Sequence, residues 1–161
     1  MKRLLISIAW LAGVVLLVGC GTIAMSPEKA AERANMVYNA LSDRQFKISV
    51  NFMYPLRGSA RSLTPDYSVE VRNDSLISHL PYFGEARNLP YGGGQGLNFA
   101  APIDSYYDYQ KKNDEFVIEI GVRNSEDIFV YTINMFDNGR SSIDVRSRLR
   151  DPISYSGELD F

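Results

Sequence analysis

His79 is the only histidine and Cys20 the only cysteine in 161 residues, which limits the chemistry available to this chain. A Ser-His-Asp triad would have to be built on the His79 ring, with a serine and an orienting acid brought to it. No Gly-x-Ser-x-Gly elbow accompanies it. A strand-end histidine bonded to backbone or water is the simpler account, so a hydrolase centred on His79 is the least favoured reading. Zinc is poorly served because its sites draw mainly on histidine and cysteine. Asp104, Asp108, Asp114 and Glu115 cluster in sequence, but not in the spacing of a calcium loop. Gly92-Gly93-Gly94-Gln95-Gly96 lacks the Lys-Ser or Lys-Thr of a phosphate loop and opens no helical segment. No metal, cofactor or catalytic residue is expected, and the chain reads as a non-enzyme.

Binding chemistry is better represented. Leu80-Pro81-Tyr82 and Leu89-Pro90-Tyr91 repeat nine residues apart, with Phe83 and Phe99 nearby. Proline stiffens such a stretch and glycine lets backbone approach closely. Tyr82, Phe83, Tyr91 and Phe99 are therefore the candidate rim of a ligand site. Arg146, Arg148 and Arg150 recur at alternate positions, a spacing that lines guanidinium groups along one strand face for phosphate or carboxylate. The competing account is a solvated face that discourages edge pairing. Tyr106, Tyr107 and Tyr109 are bunched in what reads as a loop, either a contact surface or packing on the domain. The balance of 17 basic and 19 acidic residues, net −2, argues against nucleic acid as a partner.

Cys20 belongs to a different argument. Lys2 and Arg3 precede an apolar run, Leu4 to Gly19, that would reach only about 24 Å as a helix, against a hydrocarbon core of about 30 Å. A basic start, a short apolar segment and small residues before a break describe a secretory signal. The break, Leu17-Val18-Gly19-Cys20, resembles a bacterial lipobox, in which the cysteine thiol becomes a thioether to diacylglycerol. Two or three acyl chains, at about 0.8 kcal/mol per buried CH₂, hold a protein on a membrane. With Cys20 lipidated, no thiol remains for a disulfide, a nucleophile or a metal. The residues after it carry no aspartate of the kind that favours inner-membrane retention and no acidic run. That points to the outer membrane, facing the periplasm.

The remaining elements follow from periodicity. Ser26-Pro27-Glu28 starts a helix with a hydroxyl cap, proline at the first position and an acid at the positive dipole end. Ala31, Ala34, Tyr38 and Leu41 form its stripe, and the helix is expected to end near Ser42-Asp43 and pack on the sheet. The period then switches to two. Phe46, Ile48, Val50, Phe52 and Tyr54 are expected on one strand face. Further strands are read around Tyr67–Val71, Ser75–Leu80, Leu97–Ala101, Phe116–Val122, Ile128–Phe136, Ile143–Leu149 and Ile153–Tyr155. Asp137-Asn138-Gly139 is a hairpin turn. The fold class is mainly β, one N-terminal helix followed by a seven- to eight-stranded antiparallel barrel or sandwich. The expected boundaries are 1–19 for the signal peptide, 20–25 for the lipidated cysteine and tether, and 26–161 for one domain.

Leu80-Pro81-Tyr82-Phe83-Gly84-Glu85-Ala86, Pro90-Tyr91-Gly92-Gly93 and Gly96-Leu97-Asn98-Phe99 resemble domain-of-unknown-function family 4251. The tail, Asn138-Gly139, Arg150 and Ile153-Ser154-Tyr155-Ser156-Gly157, is similar too. The resemblance implies an envelope lipoprotein of Gram-negative anaerobes with a barrel of lipocalin-like shape. It implies no activity and transfers no site residue. The expected function is non-enzymatic binding of a small apolar or amphipathic ligand. The alternative is an interaction or assembly subunit of an envelope complex, using the arginine row or the tyrosines. An interior filled by Phe46, Ile48, Phe116, Ile118 and Tyr131, with no cavity, would overturn that reading of a ligand held in the barrel.

Overall fold

A computed structural model describes residues 26–87, 94–111 and 114–161. Helix α1, Pro27–Ser42, begins as its sequence dictates: Ser26 is extended and its Oγ accepts the Lys29 N–H at 3.4 Å. It ends at Asp43, after which Arg44 takes a left-handed φ of 51° and turns the chain into the first strand. The buried stripe is Val37 and Leu41, with Ala40 packed against the core. Tyr38, expected on that stripe, faces solvent instead. Val37, one position earlier, has the shorter branched side chain that fits beneath the helix.

Among the described residues nine antiparallel strands follow: β1 (Phe46–Pro55), β2 (Arg61–Ser62), β3 (Ser68–Arg72), β4 (Ser75–Leu80), β5 (Leu97–Gln110), β6 (Glu115–Arg123), β7 (Ile128–Phe136), β8 (Arg140–Ser147) and β9 (Ile153–Leu159). Consecutive strands pair from β3 to β9, β1 pairs with β3, and β9 returns to β1. Eight strands thus close an up-and-down barrel, and two-residue β2 is appended to β1. Closure removes every long free edge.

Ile48, Ile118, Phe129, Tyr131 and Ile133 fill the barrel axis, all fully buried, with Phe46 buried and Phe116 packed against the same core. Three hydroxyls in this core are satisfied, as burial requires. Tyr131 Oη donates to Ser78 Oγ at 3.0 Å, Ser78 Oγ to the Leu97 carbonyl at 2.7 Å, and Tyr155 Oη to the Pro81 carbonyl at 2.7 Å.

Two bulges correct the sequence-based faces. In β1 the partners shift between Val50 and Phe52, so Asn51 is an extra residue on that strand. One added residue reverses the alternation. Met53 is therefore buried, while Phe52 and Tyr54 point outward with stacked rings 6.5 Å apart. The second bulge lies between Ile103 and Ser105 in β5. It turns Tyr106 toward the core and Tyr107 and Tyr109 outward. The tyrosine cluster thus belongs to a strand, since β5 runs nine residues past Ala101.

Candidate functional site

The barrel has two unlike ends. At one, residues 81–87 cross the opening as a strap joined to residues 149–151. Arg87 N–H donates to the Leu149 carbonyl at 2.8 Å, Asp151 N–H to the Glu85 carbonyl at 3.0 Å, and Ala86 bridges Arg150. Tyr82 Oη donates to the Glu85 and Asp151 carbonyls, at 2.8 and 3.2 Å. Burial, and then the neighbouring Asp151 carboxylate, push the Tyr82 phenol above its ordinary range, which keeps that hydroxyl a donor.

Arg150 lies beneath the strap, its side chain 2% exposed, with Nη2 on Glu126 Oε2 at 2.8 Å. The other Glu126 oxygen accepts the Gln95 N–H at 2.8 Å. Gly94, at φ 72°, makes room for that carboxylate, since a Cβ there would lie 2.6 Å from Glu126 Oε2. Asp127 is buried beside the pair and accepts the Ile128 and Leu149 N–H groups.

This arrangement breaks the expected arginine row. Arg146 and Arg148 are exposed, but β8 ends at Ser147 and Arg150 turns inward to its ion pair. Arg150 thus braces the barrel end. The aromatic rim is likewise divided. Tyr82 packs over the strap, with the Arg150 guanidinium 5.8 Å from its ring centroid, and exposed Phe83 carries Arg61 at 3.9 Å. Phe99 is a core residue, stacked on Phe129 at 4.9 Å. Tyr91 and Cys20 lie outside the described residues. His79 sits exposed on the outer face of β4, its ring stacked on Tyr67 at 5.5 Å. Among the described residues no group of three or more His, Cys, Asp or Glu side chains is placed to hold a metal. No helix among them is long and apolar enough to cross a membrane.

The opposite end, beside α1, holds an open cleft of about 420 Å³. Its origin is a mismatch in strand length. β4 leaves β5 at the Ser75–Pro102 pair, whereas β5 and β6 stay paired to Gln110 and Phe116. The resulting step is walled by Val71, Ile103 and the Tyr106 ring, with Asp74, Asp104 and Ser105 at its edge. Arg44 closes one side, its guanidinium 4.4 Å from the Tyr106 ring centroid. The Tyr106 hydroxyl is buried and, among the described residues, has no hydrogen-bond partner. Burial, and then Asp108, push its pKa up to about 12. Sequence reasoning missed this site. Its one visible trace was the Asn73-Asp74 turn, whose two residues both take positive φ.

The buried phenols fix an alkaline limit. Burial also raises Tyr131 and Tyr155 above their ordinary range. The folded chain therefore holds these protons more tightly than the unfolded chain, which releases them near pH 10. The stability they contribute is complete below pH 10. It is lost as pH rises above 10, up to about 12 for Tyr106 and over a longer range for the other two. In a phenolate absorbance titration Tyr106, Tyr131 and Tyr155 are expected to stay protonated beyond pH 10. They should ionise only with loss of the circular dichroism of the strands. A single transition for all ten tyrosines would contradict this.

The sequence matches the family described as Domain of unknown function (DUF4251) over residues 28–159. Among solved structures it is similar to the crystal structure of a DUF4251 family protein from Bacteroides eggerthii DSM 20697, with a TM-score of 0.58 and 15% identity. That similarity covers 80% of this chain and 87% of the other, and at such identity it concerns the fold alone. No curated protein matches. With the family match running from α1 to the end of β9, the chain belongs to the DUF4251 family.

Proposed function

We propose that this protein is a lipid-anchored barrel of the bacterial envelope, at the outer membrane facing the periplasm, that binds a small amphipathic ligand without chemical turnover. The anchor rests on the basic start, the short apolar run and Leu17-Val18-Gly19-Cys20. The ligand site is the cleft beside α1, because side chains occupy the barrel axis. The observation that carries this reading is the open cleft of about 420 Å³ lined by Tyr106, whose buried hydroxyl has no partner among the described residues. That volume lies within the roughly 300–1,000 Å³ of small-molecule sites. Val71, Ile103 and the Tyr106 ring suit an apolar body. Arg44, Asp74 and Asp104 suit a head group with both donors and acceptors.

Native mass spectrometry of the chain purified from its own envelope tests this. The wild type is expected to carry a reproducible small-molecule adduct. Exposed Asp104→Arg, which fills the cleft edge, should lose it. Tyr106→Phe, which removes one hydrogen bond of about 1 kcal/mol, should weaken it about fivefold. An adduct unchanged in both variants, or a bare wild-type chain, counts against the cleft. The second reading, an assembly subunit, draws on the outward faces of Tyr107 and Tyr109. A bare chain that cross-links to an envelope protein through those residues would favour it.

A further inference from the structure

The strapped end carries a second feature, unrelated to the cleft beside α1. The backbones of 85–87 and 148–151 run side by side, and between them lies a depression of about 110 Å³. Arg87 and Arg148 line it, both exposed and both held at the backbone, Arg87 N–H by the Leu149 carbonyl and Arg148 N–H by the Ile128 carbonyl at 3.3 Å. The two carboxylates at its edge are already engaged. Glu85 pairs with Arg57, and Asp151 Oδ2 accepts the Glu85 N–H at 3.3 Å. Glu126, the next acid, is taken by Arg150 and the Gln95 N–H. Among the described residues neither Arg87 nor Arg148 pairs with a carboxylate.

Arg87 and Arg148 line one depression, and an oxyanion held there would offset the repulsion between their two charges. Guanidinium groups favour oxyanions because their planar forks match two oxygens at once. The depression holds the volume of about three or four waters, at about 30 Å³ each, which is room for one tetrahedral oxyanion and little more. We propose that Arg87 and Arg148 form a binding site for a phosphate-type oxyanion at the strapped end of the barrel. The phosphate is either free or the monoester head of a lipid, and both present the same oxygens to the two forks.

The test uses the full chain in detergent micelles, with Arg87→Gln, Arg148→Gln and, as a control of equal charge change at the opposite end, exposed Arg140→Gln. Inorganic phosphate is titrated calorimetrically. Short-chain phosphatidic acid and, as a control, phosphatidylcholine of the same chain length are then titrated into the same micelles. Either Gln change at 87 or 148 is expected to weaken binding at least about tenfold, with Arg140→Gln within about twofold of wild type. Melting temperatures equal to wild type verify that these surface changes leave the fold intact. Binding of inorganic phosphate with that pattern supports the site and identifies a free anion. Binding only of short-chain phosphatidic acid, with the same pattern, supports it and identifies a head group. No binding to either probe, or binding that Arg87→Gln and Arg148→Gln leave unchanged, overturns it.

Discussion

Glu126→Ala is expected to destabilise the barrel by about 3–5 kcal/mol, the usual consequence of removing one partner of a buried ion pair. Its Arg150 partner is 2% exposed and would keep its charge with no acceptor on Nη2, while Nε already lacks one. The same change frees the Gln95 N–H and loosens the glycine turn at Gly94. Against a total stability of about 5–15 kcal/mol for a domain of this kind, the loss is a large fraction. Glu126→Leu combined with Arg150→Met removes both charges and keeps apolar volume, so it should recover most of the loss. Urea denaturation at neutral pH compares wild type, single and double variants. A double variant as unstable as the single would mean the pair is not the source of the effect.

Gly157→Val is expected to cost about 3 kcal/mol, the upper part of the range for overpacking. A Cβ at 157 would lie 2.2 Å from the Ser49 carbonyl oxygen and 3.0 Å from Val50 Cα. Both are backbone atoms of β1 next to its bulge, so the strand itself must move. The seam between β1 and β9 opens, and two unpaired edges become templates for other chains. The melting temperature should fall and light scattering should rise together. Gly121→Ala serves as the comparison, because its added Cβ meets the Ser105 Oγ, a hydroxyl that can rotate away. That change is expected to stay within about 1 kcal/mol of wild type. Equal losses at 121 and 157 would remove the argument from backbone contact.

These two sites also mark where sequence reasoning stops. The Ser26 cap, the alternating strands and the Asp137–Gly139 turn were legible because each depends on neighbours in sequence. The outward turn of Phe52 and Tyr54 was not, since it depends on Asn51 facing a gap beside Gly157 on the last strand. Arg150 read as one of an exposed row because its partner, Glu126, sits in a different loop. Phe99 read as rim because its proline- and glycine-rich surroundings suggest a loop, while its inward alternation from Leu97 was the better guide. The cleft was illegible for the same reason. It arises from the unequal lengths of the β4–β5 and β5–β6 pairings, a property of no single segment.

The pairing of Ile48 with Leu159 bears on how the polypeptide is made. The first strand of the ring has its mate in β9, so the ring cannot close until β9 has been made. Before that, β1 has only β2 and β3 beside it, and contacts between distant segments form slowly in any case. A nascent chain built this way stays open and threadable. Loss of Ile153–Leu159 alone would therefore leave the whole ring open, with β1 and β8 as free edges.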